Sequence, residues 1–153
     1  MRRVDFMIGG ENFETMTAAH LMRGDPYGGL YYCSRQTKGQ KIASMITMGG
    51  FGSIPVVDIN EGRKLVGIVS EFDLLKALME KKDLDNIVAE EIMTKNPICV
   101  STEAKANDII TILETKHLIR VPVTDKEGHL VGIIARRDLL QGYLKSKEKP
   151  WWF

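Results

Sequence analysis

A hydroxyl and a carboxylate stand three residues apart where a short apolar run meets a helix. The run is Leu65–Val69, and Ser70 and Asp73 follow it. A serine at this junction can cap the helix by accepting a hydrogen bond from an unpaired backbone N–H, with Asp73 in the first turn. The same junction could hold an anion, because a helix N-terminus carries unpaired N–H donors and a partial positive charge. The pattern predicts either a helix cap or a binding site for an anionic ligand.

The same stretch occurs a second time with one altered chemical position. Leu-Val-Gly-Ile, the aspartate and a Leu-Leu pair follow in register from Leu65 and again from Leu130, but Ala135 replaces the serine. Asp138 therefore recurs in the second copy without a neighbouring hydroxyl. Helix capping alone does not explain why an aspartate is found there. We favour the ligand-binding interpretation of the first junction, with a plain capping box as the alternative.

No other grouping of side chains suggests catalysis or a metal. His20, His117 and His129 lie far apart in sequence and share no ligand spacing, so we expect no metal site. We find no Ser/His/Asp, Cys/His or paired-carboxylate constellation, and we expect a protein that is not an enzyme. Cys33 and Cys99 are interpreted as small core residues on corresponding short strands, with a redox pair as the alternative.

The elements around the two junctions follow the same order in both halves of the chain. The first half has a helical turn before a proline, a short strand near Tyr32, an amphipathic helix and the strand Ile54–Asp58. The second half repeats this order, with a helix that Ser101 or Thr102 is expected to cap. Each β-α-β-β-α half is too small to cover both faces of its sheet. We therefore expect an α/β (α+β) fold of two repeats packed sheet to sheet with pseudo-twofold symmetry.

This order divides the chain into four segments. We assign an N-terminal arm to residues 1–16, repeat 1 to 17–82, repeat 2 to 83–145 and an aromatic tail to 146–153. The composition is 44% hydrophobic and 27% charged with a formal net charge of +1, which argues against nucleic-acid and membrane-surface partners. No apolar run approaches the roughly 18 residues that span a bilayer, and no signal peptide is evident. We expect a cytoplasmic protein with reduced cysteines.

The repeated motifs resemble a tandem pair of cystathionine-β-synthase (CBS) domains, also called a Bateman module. The residues that carry the resemblance are Ile92–Pro97, Arg120–Val123, Leu130–Ile133 and Asp138–Leu140 in repeat 2, with Ile54–Asp58 and Leu65–Asp73 in repeat 1. The resemblance covers about residues 17–145. It implies a stand-alone regulatory module that binds an adenosine-containing ligand (AMP, ADP or ATP) between the repeats as an energy or metabolite sensor.

The resemblance also implies which residues contact the ligand. Gly67–Asp73 fits the family signature of a glycine, two apolar residues, Ser or Thr, two variable residues and Asp. Asp73 would accept from the ribose hydroxyls, Ser70 and its helix N-terminus would hold the phosphate, and Arg120 would reach the phosphates from the other repeat. The remaining residues expected around the base and ribose are Tyr32, Cys33, Ser53, Ile54, Pro55 and Gly67.

A second and weaker cleft is expected around Asp138, because the hydroxyl and the basic partner are both missing there. Its other expected residues are Val100, Val121 and Pro122. One nucleotide site per chain should then dominate. The alternatives are S-adenosylmethionine or NAD as the ligand, or a scaffolding dimer that binds no nucleotide.

The resemblance further implies a homodimer and a regulated partner protein. We expect the dimer to form through two apolar helical faces, which comprise Phe72, Leu75, Leu78 and Met79 in repeat 1 and Leu139, Leu140, Tyr143 and Leu144 in repeat 2. The aromatic tail, with Trp151 and Trp152, is expected to pack on a neighbour or on its own fold.

Overall fold

The structure is a computed structural model that describes residues 12–23 and 30–148. Within this part of the chain the strands are β1 Cys33–Ser34, β2 Ser53–Asp58, β3 Lys64–Ser70, β4 Thr94–Lys95, β5 Val100–Ser101, β6 Arg120–Thr124 and β7 Leu130–Ala135. The α-helices are α1 Ala18–Leu21, α2 Gly39–Gly49, α3 Glu71–Met79, α4 Ala89–Ile92, α5 Ala106–Thr115 and α6 Arg136–Ser146. Most of the N-terminal arm and the aromatic tail from residue 149 lie outside the described residues.

The strands form two sheets, which confirms the mixed α/β class. One sheet has the order β1-β2-β3-β4, with β1 parallel to β2 and the other neighbours antiparallel. The other sheet has the order β5-β6-β7, with β5 parallel to β6. None of the helices in the described ranges is long and apolar enough to cross a membrane.

The chain divides into two compact units, which we name after their signature aspartates. Of the described residues, 31–98 and 126–130 form the Asp73 unit, and 12–23, 30, 99–125 and 131–148 form the Asp138 unit. The Asp73 unit consists mostly of repeat 1 but includes helix α4 of repeat 2. The Asp138 unit consists mostly of repeat 2 but includes helix α1 of repeat 1. Helix α4 packs against α3 and β3 in the Asp73 unit, whereas α1 packs against α6 in the Asp138 unit. The repeat boundaries assigned from the sequence stay a prediction, and the two units interleave the repeats.

The core of the Asp73 unit lies between its sheet and helices α2 and α3. Its buried members are Cys33, Ile42, Ile46, Ile54, Val56, Val69, Leu74 and Ala89. Burial of each such aliphatic side chain stabilises the fold by about 1.5–3 kcal/mol. Helix α2 presents Ile42 and Ile46 to this core and ends at Gly49. The next residue, Gly50, has a φ of 71°, in the left-handed region that glycine adopts without strain. The predicted helical face is confirmed here.

The Asp138 unit has an equivalent core built from equivalent positions. Its buried members are Ala18, Leu21, Val100, Ala106, Ile109, Leu113, Val121, Val123, Ile134 and Leu139. In this unit Arg23 forms an isolated antiparallel bridge with Ile133, at the position where Thr94 of β4 pairs with Ile68 of β3 in the other unit. Arg23 and Thr94 are therefore structural equivalents.

Two sequence expectations about these elements are wrong. Cys99 is exposed and precedes β5, while Cys33 is buried, so the two cysteines are not a matched pair of core residues. Cys33 pairs with Val56 and Val100 pairs with Val123, which makes Val100 the counterpart of Cys33. Helix α5 begins after Lys105 and has no side-chain cap, so Ser101 and Thr102 do not cap it.

Candidate ligand site at two strand-helix junctions

Ser70 and Asp73 form a reciprocal capping box at the start of α3. Ser70 Oγ accepts from the Asp73 N–H at 3.2 Å, and Asp73 Oδ2 accepts from the Ser70 N–H at 2.8 Å. The Ser70 hydroxyl also lies 3.0 Å from Asp73 Oδ2. The two contacts from backbone N–H groups satisfy donors that the helix itself leaves unpaired. The capping interpretation of this junction is therefore correct, whether or not a ligand also binds.

The capping box leaves one carboxylate oxygen of Asp73 uncommitted. Asp73 Oδ1 has no hydrogen-bond or ion-pair partner among residues 12–23 and 30–148, and the residue is half-buried. An ionised carboxylate accepts at both oxygens, so Oδ1 can receive a hydroxyl hydrogen without breaking the cap. At the same junction the Glu71 N–H already donates to Gly52 O at 3.1 Å. A phosphate at this helix end would have to use the remaining donors.

The structure places the residues predicted around the base and ribose in the same unit as Ser70 and Asp73: Tyr32, Cys33, Ser53, Ile54, Pro55 and Gly67. Ser53 pairs with Ser70 across β2 and β3, and Ile54 and Pro55 follow it as fully buried residues. Gly67 is buried in β3. Burial raises the pKa of the Cys33 thiol to about 12, so this side chain contributes only apolar surface.

Tyr32 has a neighbour that the sequence did not suggest. Arg63 Nη1 donates to the Tyr32 hydroxyl at 3.4 Å, and the guanidinium carbon lies 5.2 Å from the ring centre. A cation over an aromatic face competes with any base that would stack there. The signal available in the sequence was weak: Arg63 follows Gly62, and both adopt positive φ.

Arg120 and Asp138 lie in the other unit, where Asp138 affects the Arg120 guanidinium. Burial lowers the pKa of the Arg120 guanidinium, the charge of Arg23 lowers it further, and Asp138 acts in the opposite direction. Arg23 Nε lies 3.3 Å from Asp138 Oδ1 in an ion pair. The expectation that Asp138 lacks a basic partner is therefore wrong. The role of Arg120 in holding phosphate for Ser70 and Asp73 stays a prediction.

Asp138 also caps its helix, despite the alanine that precedes the helix. Its Oδ2 accepts from the Ala135 N–H at 2.7 Å, although Ala135 has no hydroxyl to return the interaction. The argument that capping gives Asp138 no reason to persist is wrong, because a carboxylate at the third helical position caps the backbone by itself. Val100, Val121 and Pro122, which were expected beside it, are all buried in the same unit.

A groove of about 810 Å³ lies between α5 and α6, within the Asp138 unit. Arg136, the first residue of α6, is part of its lining. Its walls are mainly apolar and include Phe13, Leu113, Leu118, Leu140 and Tyr143. None of the residues predicted to bind the nucleotide contributes to it.

Comparisons with known proteins match both repeats. The family profile of the CBS domain matches residues 17–80 and 88–145. The uncharacterized protein MK0525 of Methanopyrus kandleri is 32% identical over 102 residues, which are 66% of this chain and 51% of the relative. Inosine-5'-monophosphate dehydrogenase of Methanocaldococcus jannaschii is 34% identical over 105 residues, 69% of this chain and 20% of the enzyme. The chain thus spans about half of the first relative and a fifth of the second.

Solved structures of CBS pairs share the fold. CBSX2 of Arabidopsis thaliana in complex with AMP superposes with a TM-score of 0.71 and 26% identity, covering 86% of this chain and 98% of that one. The CBS pair of MJ0100 in complex with 5'-methylthioadenosine and S-adenosyl-L-methionine gives 0.66 and 24%, covering 84% and 96%. The two profile matches account for most of the chain and coincide with the duplicated strand-helix junction. The chain therefore belongs to the CBS domain family and carries two CBS repeats.

Proposed function

We propose that this protein is a regulatory CBS pair that binds an adenosine-containing ligand, AMP foremost, through Ser70 and Asp73. It carries out no catalysis and acts as a sensor of energy state or of a metabolite. The observation that carries the proposal is Oδ1 of Asp73, which lies beside a helix N-terminus and has no partner among the described residues. The AMP complex of CBSX2, at 26% identity, supports AMP as the first ligand to test.

The chemistry of the junction suits the two ends of a nucleotide. A ribose carries two adjacent hydroxyls, and a carboxylate oxygen with no other partner accepts from such a donor. The start of α3 offers a positive dipole end to the phosphate, and the Ser70 hydroxyl can rotate toward an oxyanion. Arg120 would add a fork-shaped cation for phosphate, as the family resemblance implies. ADP and ATP differ from AMP only in phosphate number and belong to the same proposal.

Titration calorimetry with AMP on the wild type, Asp73→Ala and Asp108→Ala tests this proposal. Asp108 is a matched control, because it is also an acid in the first turn of a helix but is exposed. We expect Asp73→Ala to lose AMP binding and Asp108→Ala to retain it. ADP, ATP, NAD and S-adenosylmethionine complete the panel. No heat and no rise in melting temperature with any of these ligands would contradict the proposal.

The second candidate function, from a different class, is a scaffolding homodimer with no small-molecule ligand. Exposed apolar side chains on two helices favour self-association: Phe72, Leu75, Leu78 and Met79 on α3, and Leu140, Tyr143 and Leu144 on α6. Leu139, expected on the same face of α6, is instead 5% exposed and belongs to the core. A homodimer is part of our proposal with or without nucleotide.

Sedimentation at tens of micromolar tests the assembly. We expect a dimer that Phe72→Glu or Leu144→Glu dissociates, since a charge at an apolar interface is costly. Ile59→Glu is a control at an exposed apolar residue outside both helices. A monomeric wild type would contradict the homodimer and leave the nucleotide proposal standing.

A further inference from the structure

The two signature aspartates use one oxygen in the same way and the other differently. In each unit Oδ2 accepts from the backbone N–H of the residue before the helix, Ser70 for Asp73 at 2.8 Å and Ala135 for Asp138 at 2.7 Å. Oδ1 of Asp73 has no partner in the described ranges, whereas Oδ1 of Asp138 lies 3.3 Å from Arg23 Nε. Asp138 is also 5% exposed, while Asp73 is half-buried. The second carboxylate is already occupied by a side chain of its own unit.

Arg23 is fixed in this position by its backbone. Its N–H donates to Ile133 O at 3.0 Å, and the Ile133 N–H donates back to Arg23 O at 2.9 Å. The neighbouring Met22 packs against the sheet, and its side chain lies where a Cβ on Gly132 would stand. In the Asp73 unit the equivalent residue is Thr94, which is exposed and too short to reach as far as an arginine. The two units therefore differ by one guanidinium at matched positions.

We propose that Arg23 pairs with the Asp138 carboxylate oxygen that a ribose would need. Arg23 thereby determines which of the two repeats accepts the ligand. The inference rests on the proposed function, because it assigns the adenosine ligand to Asp73 and withholds it from Asp138. A ribose that approached Asp138 would have to displace an opposite charge from a buried carboxylate. Loss of such a charge-assisted contact corresponds to roughly ten- to a hundredfold in affinity.

The contact between Arg23 and Asp138 is an ion pair without an aligned hydrogen bond from Nε. Arg23 Nε is buried and makes no hydrogen bond among the described residues, although it lies within ion-pair distance of Asp138. A lysine places its ammonium near the position of the guanidinium carbon and keeps the charge. Arg23→Lys should therefore preserve the block, and Arg23→Thr, which copies the residue of the other unit, should remove it.

Two arginines near the Asp138 carboxylate also allow the opposite role for Arg23, which is to contact the ligand. Arg23 pairs with Asp138, and both of these charges affect the Arg120 guanidinium; an excess of positive charge there attracts phosphate. If Arg23 served the ligand, its removal would weaken binding at Asp138. If Arg23 blocks Asp138, its removal should therefore strengthen AMP binding there. If Arg23 contacts the phosphate, its removal should weaken that binding.

Calorimetric titration with AMP distinguishes the two. We expect one AMP per chain for the wild type and for Arg23→Lys, and two for Arg23→Thr. Asp73→Ala combined with Arg23→Thr should retain one site, now at Asp138. Arg137→Thr removes the same charge from an exposed position next to Asp138 and should behave as the wild type. Circular dichroism and thermal melting establish that each variant is folded.

The reciprocal substitution keeps the inference testable if Arg23→Thr does not fold. Thr94→Arg places a guanidinium at the equivalent position of the Asp73 unit, and we expect it to weaken AMP binding at least tenfold. One site in both the wild type and Arg23→Thr, or two equal sites in the wild type, would overturn the inference and leave the proposed function intact. A wild type without any AMP binding would overturn the proposed function. In that case, a site gained in Arg23→Thr supports the inference, and no gain overturns it.

Discussion

The side chain of Met93 packs directly onto the α-carbon of Gly67. A Cβ built on Gly67 would lie 2.5 Å from Met93 Sδ and 2.9 Å from Thr94 O. The same relationship recurs in the other unit, where Met22 lies over Gly132. The glycine of the family signature is thus required by the approach of a methionine and a short strand, independently of any ligand.

Gly67→Ala should therefore lower stability. An added methyl group would meet both a movable thioether and the backbone of β4, and overpacking of this kind costs about 1–3 kcal/mol. Urea unfolding of Gly67→Ala measures the loss. Gly52→Ala is the control, because a Cβ there meets nothing within 4 Å. Combining Gly67→Ala with Met93→Ala should recover only part of the stability, since Thr94 O remains close. Equal stabilities of Gly67→Ala and Gly52→Ala would show that the methionine contact imposes no constraint.

Asp73→Ala and Asp138→Ala should separate ligand binding from stability. The first should lose AMP binding, because it removes the carboxylate with the uncommitted oxygen. The second should leave AMP binding almost unchanged but destabilise the fold by about 2 kcal/mol, since a buried ion pair and a backbone cap are lost together. Calorimetry and urea unfolding on the same preparations provide both readouts. Equal losses of AMP affinity in the two variants would contradict a single dominant site.

Arg120→Ala should discriminate between ligands by their phosphate. If Arg120 contacts the phosphate, its removal should weaken AMP roughly tenfold or more and leave adenosine almost unaffected. Parallel titrations with AMP and adenosine measure the difference. A similar loss for both ligands would indicate that Arg120 acts on the structure of its own unit, where Asp138 and Arg23 are its neighbours.

The two cysteines should react at very different rates. Cys33 is 4% exposed and burial raises its pKa to about 12, so at pH 8 it remains a protected thiol. Cys99 is exposed. One thiol per native chain should react promptly with an aromatic disulfide reagent, and both should react after denaturation. Cys99→Ser should abolish the prompt phase. Rapid reaction of two thiols in the native protein would show that Cys33 becomes accessible through local opening.

Deleting residues 150–153 should lower the melting temperature or weaken self-association. The segment contains Trp151 and Trp152, and each buried aromatic removes roughly 150–250 Å² from water. Replacing the four residues by Gly-Ser-Gly-Ser keeps the length and serves as the comparison. Unchanged melting and unchanged molecular mass would show that the tail contributes to neither.

The duplicated motif made the fold predictable from the sequence. The site was predicted only in part, because it depends on contacts between particular pairs of side chains. Apolar periodicity placed β2, β3, α2 and α3, because burial of one face fixes the register of such elements. Periodicity says nothing about which long side chain reaches a given carboxylate, and Arg23 was missed for that reason. The repeat alignment did contain the signal, since it places Arg23 opposite Thr94. The exposure of Cys99 was also missed, because the apolar run from Ile98 to Val100 predicts a strand over these residues, whereas β5 begins only at Val100.

Because α1 and α4 are exchanged between the repeats, cutting the chain between the repeats separates residues that pack together. A fragment of residues 17–80 would carry Met22 without Gly132 and Gly67 without Met93. Neither half contains a complete set of complementary surfaces, so we expect each to be insoluble or partly unfolded when expressed alone. Mixed together, the two fragments should reconstitute the native protein, much as the pieces of a split reporter do. A cut in the exposed stretch 80–83, between α3 and α4, would then make this chain a two-component system whose assembly can be followed directly.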